Sequence, residues 1–146
     1  MFKKVLVPID GSPHARRAVE AAVDLAGRYQ ARVYLLHVIR NLSLPVEIME
    51  MIQAGEITES RREVLENSAE IILANAREHF EAAGLTDVTS DYVIGDPASK
   101  MLEYAGQNGV DLIVLGHRGL GPQGGLLGGV ARKLLNMTMI SCLIVT

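Results

Sequence analysis

The chain predicts a single α/β domain with a parallel sheet at its centre, and three observations carry that expectation. Strand-like and helix-like segments alternate along the whole length, as βαβ units require. Most strand candidates are continuous apolar runs rather than alternating ones, the pattern of strands covered on both faces. The turns from strand to helix carry Asp, Ser, Gly and Pro, the residues that start helices. With 146 residues there is room for one domain, and no repeat or linker divides it.

The first strand is expected at Val5–Ile9, reading Val-Leu-Val-Pro-Ile. Asp10-Gly11-Ser12-Pro13 ends it, with Ser12 as helix cap and Pro13 at the first helical position, where its missing N–H costs nothing. From Ala15 to Tyr29, the residues Ala18, Val19, Ala22, Val23, Leu25 and Ala26 keep helical spacing. Arg32–Ile39 is the second strand. Asn41–Glu59 has little periodicity and is broken by Pro45 and Gly55. It reads as a crossover loop with a short helical turn, packed on the body of the fold. Its methionines would equally suit a flap or a dimer surface.

A long helix follows, opened by Ser60 and Glu63 at capping-box spacing. Its expected buried stripe is Val64, Leu65, Ala69, Ile72, Ala76, Phe80 and Ala83, and Gly84 is its C-terminal cap. Val88–Ile94 is the third strand. Asp96 caps the next helix with Pro97 at its first position, and Asn108-Gly109 ends it. Met101, Leu102 and Ala105 form its apolar side. The fourth strand is Asp111–Leu115, followed by a glycine-rich loop, a helix at Val130–Met137 and a last strand at Ile140–Val145. Five parallel strands with right-handed crossovers leave few topologies. Ligands of such sheets bind beyond the carboxyl ends of the strands, where the winding reverses. If the first and fourth strands are neighbours there, Asp10 and Gly116 face one cleft.

Composition narrows the function classes. A net charge of −3 and the absence of tryptophan argue against general nucleic-acid binding, which needs a basic face or stacking platforms. The single cysteine, Cys142, excludes an intrachain disulfide and a cysteine-rich metal site. His14, His37 and His79 show no metal-ligand spacing. No run reaches the ~18 apolar residues that span a bilayer. Met1-Phe2-Lys3-Lys4 passes directly into a strand with no signal-peptide core. A soluble cytoplasmic protein whose partner is a small molecule or another protein is expected.

The most informative stretch is Leu115–Ala131, Leu-Gly-His-Arg-Gly-Leu-Gly-Pro-Gln-Gly-Gly-Leu-Leu-Gly-Gly-Val-Ala. An apolar strand, a glycine loop and a helix start together form a known way to hold phosphate. Glycines let the backbone approach the anion, and the helix supplies free amides and the positive end of its dipole.

Four separated motifs give the chain a resemblance over its whole length. Val5-Leu-Val-Pro-Ile-Asp-Gly-Ser12, Gly95-Asp-Pro-Ala98, Asp111-Leu-Ile-Val-Leu-Gly-His-Arg-Gly119 and Gly129-Val-Ala-Arg-Lys-Leu-Leu135 resemble the universal stress protein family, as does the terminal Leu143-Ile-Val145. The resemblance implies a Rossmann-like five-stranded parallel sheet, order 3-2-1-4-5, with helices on both faces. It implies a homodimer made through the last strand, Ile140–Val145. In the family's ATP-binding branch it implies a site for ATP, ADP or AMP, with Mg2+ accompanying a triphosphate. Carried onto this sequence, the positions are Pro8, Asp10, Val38, Gly116, Arg118, Gly119, Gly128, Gly129 and Val130. Asp10 would meet the nucleoside and the backbone of Val38 the adenine.

The branch's glycine motif is Gly, two residues, Gly, nine residues, then Gly followed by Ser or Thr. Gly116 and Gly119 match its first half. Nine residues on, Gly129 is followed by Val130. If instead the helix Val130-Ala-Arg-Lys-Leu-Leu135 sets the register, Gly128 is the motif glycine, Gly129 replaces the serine and the loop is one residue short. The second register is preferred, because loops absorb deletions more readily than packed helices do. Either way the hydroxyl is missing. One hydrogen bond to a charged phosphate is worth ~1.5–3 kcal/mol, roughly tenfold to a hundredfold in affinity. The amides of Gly128, Gly129 and Val130 would keep a weakened grip on the outer phosphates.

Other residues carry less. Arg118 could neutralise phosphate, and Arg132 could stand near it, although a surface role suits Arg132 better. His117 has no second catalytic group at fixed spacing to act with as a base. Ser12 and Ser99 are explained by cap positions, and Cys142 by a small apolar slot in its strand. The expected function is a dimeric stress-response protein that binds an adenine nucleotide as a regulatory ligand. The competing reading is an interaction module without nucleotide. Dedicated adenine-nucleotide enzymes of similar fold carry Ser-Gly-Gly-x-Asp-Ser or His-Ile-Gly-His patterns, and neither occurs in the sequence, so no catalytic residue is assigned.

Overall fold

Nine elements account for residues 1–40, 60–118 and 127–146, which the computed structural model describes; the side chains of residues 60 and 61 are not included. They are β1 (Lys4–Pro8), α1 (Pro13–Tyr29), β2 (Arg32–Arg40), α2 (Ser60–Ala82), β3 (Val88–Gly95), α3 (Pro97–Asn108), β4 (Leu112–Gly116), α4 (Gly129–Met137) and β5 (Ser141–Val145). Each agrees with its sequence expectation to within one or two residues at either end. The segment 41–59, expected as a crossover loop, lies outside the described residues.

All strand pairs are parallel and their order is β3-β2-β1-β4-β5. The order follows from the residue types. Val5, Leu6 and Val7 of β1 and Leu112 to Leu115 of β4 are buried, so these strands need cover on both faces and occupy the interior of the sheet. Two apolar layers supply it. On one face Val5, Val7, Val33 and Val114 pack with Ala18, Ala22 and Ala26 of α1 and with Leu73 and Phe80 of α2. On the other, Leu6, Leu36 and Ile113 pack with Met101 and Ala105 of α3 and with Ala131 and Leu134 of α4. The small alanines of α1 let its axis lie close over the strands.

Most helix termini behave as their residues dictate. Ser12 caps α1, its hydroxyl accepting from the Ala15 amide at 3.1 Å. Asp96 caps α3, accepting from the Ser99 amide at 3.1 Å. Ser99 is therefore not itself a cap. It is the third residue of the helix, and its hydroxyl also donates to Asp96 at 2.8 Å. Gly109 takes the left-handed conformation that ends α3, and Gly84 the one that follows α2.

The stripe expected for α2 needs correction. Ala69, Leu73, Ala76 and Phe80 are its buried line, while Val64 is 61% exposed and Ala83 is exposed beyond the helix end. Val64 lies five residues before Ala69, about 140° round the helix from the buried line. Among the described residues, no helix is long and apolar enough to cross a membrane.

Candidate functional site

The reversal of winding falls between β1 and β4, which pair through Val5–Leu112 and Leu6–Ile113. Each strand runs into a helix on a different face of the sheet, α1 on one and α4 on the other. The two strand-to-helix junctions therefore flank the carboxyl edge of the sheet at the point where ligands of such folds bind.

The β1–α1 junction is tightly wired. Pro8 closes β1 opposite Leu36. The Ile9 amide continues the ladder by donating to the Leu36 carbonyl at 2.9 Å. The Ile9 carbonyl lies 2.7 Å from His37 Nδ1. A carbonyl only accepts, so the His37 proton resides on Nδ1 and ties the end of β1 to β2. Asp10 then accepts the Ser12 amide at 2.9 Å, across Gly11, whose φ of +83° is the left-handed turn that glycine adopts without strain. Asp10 is half-buried, and its carboxylate is held at this edge by the turn. A carboxylate has about four lone-pair sites, and the Ser12 amide takes one of those of Asp10.

The β4–α4 junction is built differently. Gly116 must be glycine for a packing reason: a Cβ there would lie 2.7 Å from the His14 carbonyl carbon and 2.8 Å from its Cβ. The first turn of α1 thus sits directly on the end of β4. The His117 amide donates to the Val145 carbonyl at 2.8 Å, and the His117 carbonyl accepts the Gly128 amide at 2.9 Å. That last bond closes the base of the glycine loop. It also corrects one expectation, since the Gly128 amide counted as a phosphate donor already has an acceptor. Gly128 is instead the N-cap of α4, with no side-chain cap bond. Gly129 is the first helical residue, exposed, with no atom of the described residues within 4 Å of where a Cβ would stand. The amides of Gly129 and Val130 open α4 without a side-chain cap.

Of the remaining positions, Val38 is half-buried on β2 opposite Val93, two residues beyond Leu36, the last β2 partner of β1. Arg118 is half-buried and engaged with its surroundings, and Arg132 is exposed on α4. Gly119 lies outside the described residues. The structure therefore brings Pro8, Asp10, Gly116, Arg118, Gly128, Gly129 and Val130 to one edge, with Val38 on the neighbouring strand. That edge carries the Asp10 carboxylate and the first amides of α4, with the Gly128 amide already engaged by His117. A groove of about 400 Å³ lies between α2 and β3, lined by Arg77, Ser90, Asp91 and Tyr92 among others, two strands over from β1.

Sequence spacing missed one pairing. His14 and His117, 103 positions apart by residue number, bring their rings to a centroid separation of 6.2 Å. The close seat of α1 on Gly116 makes the meeting, and that glycine was its available signal. Among the described residues, no group of three or more His, Cys, Asp or Glu is arranged to hold a metal ion. Cys142 is half-buried rather than fully buried, and burial pushes its thiol pKa up.

Comparison with known proteins agrees with the fold. The model described as "Universal stress protein family" matches residues 1–146. The chain is 38% identical to Universal stress protein YxiE of Bacillus subtilis, with 99% of each covered. It superposes on the structure titled as an assignment of the biochemical function of hypothetical protein MJ0577, with TM-score 0.82 and 27% identity over 99% of this chain and 96% of that one. A universal stress protein solved in complex with cAMP gives TM-score 0.75 and 25% identity, covering 99% and 97%.

Proposed function

The chain belongs to the universal stress protein family, and from that premise we propose that it binds ATP or another adenine nucleotide as a regulatory ligand at the β1/β4 edge. The observation that carries the reading is the placement of the fixed Asp10 carboxylate beside the junction that runs from Gly116 to the uncapped start of α4. A structural relative solved with cAMP supports it. In this reading Asp10 accepts from the ribose, the backbone near Val38 meets the base, and Gly129 and Val130 face the phosphates with Arg118 nearby. Mg2+ accompanies a triphosphate. The protein acts by binding and is not a dedicated enzyme.

The same reading includes a homodimer through Ile140–Val145. β5 is an edge strand in the described sheet. Exposed Leu143, Met139, Met137 and Leu135 lie on or just before it, and an open apolar edge is a template for a second chain. Calorimetric titration of a non-hydrolysable Mg-ATP analogue against the folded protein tests the nucleotide part. Binding at or below millimolar concentration is expected; no heat there overturns it. Mass analysis of small molecules released on denaturation gives an independent check.

A second reading, an interaction module without nucleotide, is favoured by one observation. The missing hydroxyl and the engaged Gly128 amide both remove phosphate donors. Unchanged apo behaviour in the same titration, with the dimer intact by light scattering, would select it.

A further inference from the structure

We propose that His14 and His117 form a one-proton switch that makes phosphate binding at this edge tighter as pH falls; the proposal rests on the nucleotide reading above. Three observations meet here. The rings are 6.2 Å apart between centroids and tilted by 51°. His14 Nδ1 is buried with no hydrogen-bond partner among the described residues. The His117 backbone holds both Val145 and the Gly128 amide at the foot of the loop. An unpartnered buried nitrogen is costly, and an unprotonated Nδ1 can only accept.

The one-proton arrangement resolves that deficit. A direct N–H···N bond between imidazoles, with nitrogens about 2.9 Å apart, puts the centroids at roughly 5 Å, so a side-chain shift of roughly 1 Å joins the rings. Histidine is the side chain that changes charge in the neutral range. A proton from solvent goes to His117, whose N–H then donates to His14 Nδ1. The charged groups nearest this meeting are Asp10 before α1, Arg16 and Arg17 in its first turns and Arg118 after β4; Arg16 pairs with Glu20 at 3.7 Å, Asp24 and Arg28 lie further along α1, and the titratable side chain of β5 is Cys142. The first turn of α1 carries no acidic residue. A polyphosphate at the start of α4 supplies negative charge, so binding and proton uptake favour each other.

The test is calorimetry of the Mg-ATP analogue at pH 6 and pH 8, in two buffers of different ionisation enthalpy. Wild type is compared with His14→Phe and His117→Gln. The ligand's own phosphate titration is common to all three proteins and cancels in the comparison. Relative to the variants, the wild type should take up about one extra proton near neutrality and gain about tenfold in affinity between the two pH values. Proton uptake and pH dependence that are identical in all three proteins overturn the switch and leave the nucleotide reading standing. No binding heat from any of them at either pH overturns that reading, and the switch falls with it. In the free protein, an NMR titration of the histidine rings should show the His117 curve moved by His14→Phe. An unmoved curve overturns the pairing whatever the nucleotide does.

Discussion

The two strand-to-helix junctions at the switch point do the same topological job with opposite chemistry. Between β1 and α1, nearly every polar group is accounted for internally: Asp10 holds the Ser12 amide, Ser12 holds the Ala15 amide, and Pro13 removes one donor outright. Ser12 is 3% exposed. Between β4 and α4, glycine stands at both the cap and the first helical position, and among the described residues no side chain caps the helix start. A self-satisfied terminus is a rigid support, while an unsatisfied one has donors and dipole to give to a ligand. In the proposed nucleotide reading the wired junction is the fixed wall and the unwired one the receiving side.

The contact that joins the two junctions gives the largest expected effect. Gly116→Ala would drive a Cβ to 2.7 Å from backbone atoms of His14, and backbone cannot rotate aside as a side chain can. Overpacking of this kind costs about 1–3 kcal/mol, read as a lower urea midpoint at unchanged slope. Nucleotide binding should weaken with it, since both walls shift. A variant as stable as wild type would mean that the junctions are not rigidly coupled.

Gly129→Ser moves the unwired junction towards the family's motif. The position is exposed and open, so a serine enters without strain and returns one hydroxyl to the phosphates. Triphosphate binding should tighten by roughly tenfold to a hundredfold, with a smaller gain for a monophosphate. Equal gains for both ligands would show that the outer phosphates lie elsewhere. Ser12→Ala makes the converse change at the wired junction. Loss of the cap costs about 1 kcal/mol of folding stability, measured by urea unfolding, and leaves the triphosphate-to-monophosphate ratio unchanged. A change in that ratio would erase the distinction between wall and receiver.

How far these differences could be read in the residues depends on whether the interactions are local. Ser12, Pro13, Asp96, Pro97 and Gly109 act within a few residues of themselves, so their roles follow from spacing. The strand order follows from which runs are apolar on both faces and from the family resemblance. Val64 was misplaced because several apolar stripes can be drawn on a helix whose outward face also carries Ile71, 62% exposed. The engagement of the Gly128 amide by His117 closes a loop, and nothing in a run of glycines specifies which amide does so. Gly116 was legible as a special position, but its cause was not. The glycine looks like a phosphate residue in the sequence, and the structure adds that the first turn of α1 rests on it. The His14–His117 meeting is a consequence of that same contact and has no signature in spacing.

The smallest effect concerns what holds α4 in place when its own start is uncapped. Lys133 of α4 reaches across to the cap of α3, donating to Asp96 at 2.9 Å. This bond, followed by the two from Ser99, lowers the Asp96 pKa from 3.8 to about 2. A carboxylate held low in the folded state contributes stability that is fully present above its unfolded value, and loses it as pH falls through the folded one. Stability should therefore decline between about pH 4 and pH 2 in part through this group. Lys133→Ala removes the largest cause and should make that decline shallower without abolishing it, since both Ser99 bonds remain. The pair is exposed, so added salt should weaken it in the wild type and do little in the variant. Urea unfolding followed from pH 4 to pH 2 at low and high salt measures both slopes. If the Lys133→Ala slope matches that of wild type at low salt, α4 is held by its apolar face on Ile113 and Leu115 alone, and the uncapped junction is steadied by packing rather than by charge.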